Sequence, residues 1–220
     1  MCFSCTDVPA PPLPATGRET GIDVGLKVFL ITAAGAIVAN PRPYRYAERR
    51  LKKAPRRVAQ RKKGSQRRRK AVGHLQRAQQ TVQRQRTDFH HKTALALLLL
   101  YDTITLEDLR VANLVRNRHL AKSISDAGWA AFRALLEAKA ACAGRRVVAV
   151  PPASTSQDCS GCGRRVRKSL SVRTPICPNP DCGLVLDRDE NAAKNIARAG
   201  QALRGAVALA ASKNRESAGL

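Results

Sequence analysis

Between Val72 and Leu97 the chain returns to apolar positions at intervals of three and four: Val72, Leu75, Val82, Phe89 and Leu97, with Gln79, Arg86 and Thr93 keeping the phase. That spacing predicts one face of a long helix docked on a core, with arginines on its other faces. Gly64 and Ser65 separate it from an earlier piece, Tyr44 to Lys63, in which Pro55 would kink or end a helix. Upstream, Ile22 to Thr32 is rich in β-branched residues, Gly35 supplies a turn and Ala36 to Ala39 returns, the pattern of a β-hairpin. Downstream come a short strand at Ile104-Thr105-Leu106, a helix over Asp126 to Ala143 stopped by Gly144, and an apolar strand at Val147 to Val150 ended by Pro151 and Pro152. A hairpin followed by single strands separated by helices suits an α/β layer with a mixed sheet. Residues 1–19 are proline-rich and without period, and read as a flexible arm.

Charge changes the picture. The 220 residues hold 40 Lys+Arg against 16 Asp+Glu, a net charge of +24. Of this, +17 falls between Arg42 and Lys92, where 19 cationic side chains meet only Glu48 and Asp88. Such a surplus repels itself and implies a polyanionic partner. Membrane attachment is the rival reading. The only long apolar run, Ala94 to Tyr101, is far shorter than the roughly 20 residues a bilayer demands. The first twenty residues carry no apolar signal-peptide segment, so the expected location is the cytoplasm. The candidate nucleic-acid contacts are Arg67, Arg68, Arg69, Lys70, Arg77, Arg84 and Arg86, gripping phosphates rather than reading bases. Eight aromatic residues in the whole chain are too few for a base-stacking platform.

In a reducing compartment paired cysteines read as metal ligands. Cys159-Ser-Gly-Cys162 and, after a spacer of 14 residues, Cys177-Pro-Asn-Pro-Asp-Cys182 form two knuckles that end in Gly163 and Gly183. Four thiolates complete a tetrahedral Zn²⁺ shell and leave no open position, so the expected site is structural. Cys2 and Cys5 form a C-x-x-C by themselves and are read as incidental. Cys142, in an Ala-rich helix, is read as a small buried residue.

In so basic a chain an acid in an apolar setting is informative. Asp23 interrupts the strand "GIDVGL", Glu107 follows Ile104-Thr105-Leu106, and Asp187 and Asp189 precede the helical "ENAAKNI". A half-buried carboxylate needs a partner or a cation. Asp189 has an alternative role as a cap favoured by the helix dipole.

In chain order "GIDVGLK", "ITLEDL", "VRNRHLAKSISDAGW", "TSQDCSGCG" and "CGLVLDRDENAAKNI" resemble the RuvC-like domain of the TnpB (OrfB-type) proteins of bacterial insertion elements, relatives of the type V CRISPR effectors. The resemblance spans residues 20–200. It implies a ribonuclease-H-like α/β fold, a mixed sheet with helices plus an inserted zinc ribbon. It divides the chain into an arm (1–19), a nuclease core with long basic helices (20–152), the ribbon (153–186), the last acid with its helix (187–201) and a tail (202–220). It also implies that Asp23, Glu107 and Asp189 hold two catalytic Mg²⁺ ions about 4 Å apart for in-line phosphodiester hydrolysis. A guide RNA and target DNA are the implied partners. Family members usually carry a further half before the first acid, whereas about twenty unmatched residues precede Asp23 here, so an N-terminally truncated endonuclease is expected. The alternative is a nucleic-acid-binding remnant that no longer cuts. A zinc-ribbon transcription factor would leave the acids unexplained.

Overall fold

The computed structural model describes residues 11–152, 155–167, 169 and 172–217. Five strands form one sheet: β1 (Glu19–Val24), β2 (Val28–Thr32), β3 (Ile37–Ala39), β4 (Thr103–Glu107) and β5 (Arg146–Val150), in the order β3-β2-β1-β4-β5. The first three form an antiparallel meander, while β4 and β5 run parallel to β1 and to each other. This is the mixed sheet that the ribonuclease-H-like resemblance implies. The stretch Ile22 to Thr32, read as one strand, is two. Gly25 turns the chain, its N–H reaching the Phe29 carbonyl at 3.0 Å, and Lys27 points to solvent.

The helices are α1 (Pro43–Ala59), α2 (Gln66–Leu100), α3 (Val111–Leu114), α4 (Ala121–Ala127), α5 (Trp129–Cys142) and α6 (Arg188–Ser217). Pro55 stays inside α1 near its end. Ser65 caps α2, accepting the Arg68 N–H at 3.2 Å. The buried stripe of α2 is Ala78, Val82, His90, Thr93, Ala94, Leu97 and Leu98. It widens the predicted face by one position and leaves Gln79 exposed. The helix expected from Asp126 begins only at Trp129, because Gly128 adopts φ +66° and divides α4 from α5.

Strand alternation decides the layers. Ile22, Ile104 and Leu106 join Phe29, Leu98, Phe132 and Leu136 in the main core. Phe29 meets Phe89 and Phe132 edge-on at centroid distances of 4.8 and 5.0 Å. The odd positions Gly21, Asp23, Thr105 and Glu107 belong to the other face, where α6 lies. Two glycines set that approach. A Cβ on Gly21 would stand 2.2 Å from the Ala193 carbonyl oxygen, and one on Gly200 would stand 2.2 Å from Thr105 Oγ1.

Three expectations change. The arm is fastened from Leu13 onward: Asp102 accepts the N–H groups of Thr16 and Gly17 at 2.7–3.0 Å, and Leu13 donates to the Ala143 carbonyl. A buried Arg145 ties this together, bonding Asp102, the Leu98 carbonyl and the Pro14 carbonyl. The segment taken as a tail from 202 continues α6 to Ser217, as its run of alanines favours. Cys142 is exposed rather than buried. Cys2 and Cys5 lie outside the described residues. No helix among the described residues is long and apolar enough to cross a membrane.

Candidate active site and metal centre

β1 and β4 run parallel with Ile22 opposite Leu106, so Asp23 and Glu107, the next residues, reach the sheet end at the same level and on the same face. The first turn of α6 brings Asp189, with Asp187 just before it, close enough for their charges to act on Asp23. Asp23 is the centre of this negative field. Burial pushes its carboxyl up to about 7, and the charges of Glu107, then Asp189, and finally Asp187 add to the rise, with Arg188 opposing them.

The acids are held individually. Glu107 Oε1 accepts the Thr155 hydroxyl. Asp189 pairs with Arg173 at 2.9 Å and with Arg188 at 3.2 Å. Asp187 takes the capping role that had been left open for Asp189: its Oδ1 accepts the N–H groups of Asp189 at 2.8 Å and Glu190 at 3.4 Å. Asp23, Glu107 and Asp189 share one field, but their oxygens do not all come within 4.8 Å of one another. Among the described residues, the four cysteines are the only set of three or more metal-type side chains whose ligand atoms all lie within 4.8 Å of one another.

That cysteine set fits a tetrahedral ion. Cys159 Sγ and Cys182 Sγ stand 3.8 Å apart, and Cys162 Sγ and Cys177 Sγ 3.6 Å apart. Four bonds of about 2.3 Å at tetrahedral angles give sulfur separations of about 3.8 Å. Two short bridges, Asp158 to Arg165 and Ile176 to Val185, form the paired hairpins that carry the knuckles. Gly163 and Gly183 take φ +76° and +53° to close them. The Arg164 backbone N–H, bonding the sulfur, favours the Cys162 thiolate, while burial and the cysteine neighbours hold the Cys177 and Cys182 thiols up, as sulfurs competing for one charge do.

Sequence reasoning missed the side chains that join this ribbon to the acids. Asn191, buried on α6, accepts the Ser160 N–H at 2.8 Å and donates to the Asp158 carbonyl at 2.8 Å. One turn on, Asn195 donates to the carbonyls of Thr155 and Asp158 at 2.8 and 2.7 Å. The pair of asparagines four apart in "ENAAKN", on one helix face, was the legible signal. Thr155 opens the quoted stretch "TSQDCSGCG", though nothing in it pointed to Glu107, and Arg173 left no signal.

Of the basic candidates, Arg67, Arg69, Lys70, Arg77 and Arg84 are exposed and Arg68 half-buried. Arg86 has another task. It donates to the Asp126 carbonyl at 2.8 Å and pairs with the buried Asp126 carboxylate at 3.3 Å. That carboxylate also accepts the N–H groups of Tyr44 and Arg45, so it caps α1 from a distance.

Residues 3–118 match the OrfB_IS605 family model, described as "Probable transposase", and residues 129–196 match a Cas12f1-like TNB domain. The chain is 40% identical over 193 residues to a Streptomyces pristinaespiralis protein named as an RNA-guided DNA endonuclease, covering 87% of this chain and 47% of that protein. It is 28% identical over 208 residues to the similarly named InsQ of Escherichia coli K12, with 87% and 51% covered. It thus spans about half the length of these relatives. Its fold is similar to the Cas12f1 chain in a cryo-EM complex with sgRNA and target DNA, with a TM-score of 0.55 and 18% identity over 84% of this chain and 50% of that one.

Proposed function

Since this chain belongs to the OrfB family of TnpB-like insertion-element proteins, we propose that it carries the cutting site of a DNA endonuclease that works with a guide RNA. In this reading Asp23, Glu107 and Asp189 are the carboxylates that hold two Mg²⁺ ions. One observation carries it: acids from β1, β4 and the start of α6 act on one half-buried carboxyl, Asp23, which burial first and then the charges of Glu107 and Asp189 push up to about 7. An uncompensated negative cluster of oxygen donors is the chemistry that a hard divalent cation relieves. Bound Mg²⁺ would supply a water of lowered pKa and charge neutralisation at the leaving oxygen.

The chain's own residues have defined parts. Asp23 is the central donor. Thr155 orients Glu107, and Arg173 and Arg188 hold the Asp189 carboxylate in place by ion pairs. Cys159, Cys162, Cys177 and Cys182 hold one structural Zn²⁺, and its ribbon positions Thr155 and Arg173. The exposed cations of α2 attract DNA or RNA through phosphates. Asp189 is preferred over Asp187 as the third acid, since the Asp187 oxygen is already committed to the start of the helix.

The test is Mg²⁺-dependent cleavage of DNA in the presence of a candidate guide RNA. It is run on this chain and on this chain joined to the unmatched half of a relative. Asp23→Ala, Glu107→Ala and Asp189→Ala should each abolish cleavage with affinity retained. The losses should not add, because removing one ligand disables the shared site. Binding without cleavage in every form would leave the non-cutting binding protein.

A further inference from the structure

α1 and α2 lie side by side as a hairpin, and a cleft of about 760 Å³ runs between them. One wall carries Arg50, Lys53 and Arg57 of α1, with Arg61 just past its end. The other carries Arg67, Lys70, His74 and Arg77 of α2. The floor is narrow because it is made of alanines: Ala54, Ala71 and Ala78. The spacings of three and four on each wall put a basic group every ~5–6 Å along a helix that rises about 1.5 Å per residue. The α2 row, Arg67 to Arg77, is therefore about 15 Å long.

Among the described residues, no acid lines the cleft. The two acids of this hairpin are committed elsewhere, Glu48 to Arg45, Lys52 and Lys122, and Asp88 to Lys92. None of the seven arginines and lysines in the walls forms an ion pair among the described residues. Facing rows of like charge repel, and nothing within the hairpin offsets that. A string of anions with a matching repeat would.

We infer that this cleft is a binding site for one sugar-phosphate backbone of a single-stranded nucleic acid, gripped phosphate by phosphate from both walls. Two helices abreast span about 20 Å. They cannot enter a major groove about 12 Å wide. The geometry is therefore reversed relative to a recognition helix: the strand enters the protein. Bases are left outside and unread, in keeping with walls that hold no aromatic residue. The inference rests on the nucleic-acid reading above but not on the acids.

The test is fluorescence anisotropy of this chain with labelled oligo(dT), oligo(U) and a duplex of equal length, across a salt series. Both single strands should bind more tightly than the duplex, and the tighter of the two identifies DNA or RNA as the occupant. The triple variant Arg57→Ala/Arg67→Ala/Arg77→Ala should bind at least tenfold more weakly. Its log–log salt slope should fall by about 2, or roughly 0.7 per lost contact on a single strand. The charge-matched Lys27→Ala/Arg116→Ala/Arg118→Ala variant, at exposed positions outside the cleft and off α2, should lose far less. Ala71→Trp fills the floor with charge unchanged and should also weaken binding severalfold. Equal losses in the two triple variants would overturn the site in favour of diffuse attraction, as would tighter binding of duplex. No binding to any probe would overturn the nucleic-acid reading itself.

Discussion

Asp187 Oδ1 accepts the backbone N–H of Asp189 at 2.8 Å, so two aspartates separated by one residue do different work. The first closes the open end of α6. The second is left with its carboxylate over the sheet end, paired to Arg173 and Arg188. Asp187→Ala should therefore lower stability by about 0.5–2 kcal/mol, the usual cost of an N-cap, and Asp187→Asn should restore it. Asp189→Asn should spare stability and abolish cleavage. Denaturant unfolding beside the cleavage assay separates the two; equal stability losses would contradict the division.

The Asp23 carboxyl, near 3.8 in an unfolded chain, is raised to about 7 in the folded one. Between these values the folded state keeps a proton that the unfolded state has released, so stability falls as pH rises from about 4 to about 7. Below that window both states are protonated and the penalty vanishes. Thermal melts without divalent ions should show the decline, and Asp23→Asn should remove it. Mg²⁺ should flatten it as well, by favouring the ionised form.

One Zn²⁺ per chain is expected, since sulfur separations of 3.6 and 3.8 Å fit a tetrahedral shell. Chelation or Cys177→Ser should raise hydrogen exchange through the knuckles and at the start of α6, because Asn191 and Asn195 bond knuckle backbone directly. The sheet core should keep its protection. Protein purified in zinc-containing medium yet free of the metal would refute the site.

Arg86 should behave unlike its neighbours on α2. Arg86→Ala leaves the buried Asp126 carboxylate without its cation, and breaking such a pair costs roughly 3–5 kcal/mol when burial is complete. Arg86 is itself partly exposed, so a loss of about 2 kcal/mol is expected. The salt slope of nucleic-acid binding should hardly change. Arg84→Ala, at an exposed position, should leave the unfolding midpoint where it is.

The sequence by itself determined the elements and the chemistry available to them. β-branched and apolar runs located the strands, a period of three to four located α2, and the Cys knuckles declared a four-sulfur centre, because these signals are local and lie within a few residues. Ordered motifs pointed to Asp23, Glu107 and Asp189. Long-range contacts left little trace. The commitment of Arg86 to Asp126 and the anchoring of residues 16–18 by Asp102 join groups that no pattern relates. Only tertiary structure divided the labour between Asp187 and Asp189, and only it brought the arginine row of α1 opposite that of α2. The reason is physical. A side chain's burial, partners and field are set by what the fold places beside it, and here those neighbours come from dozens of residues away.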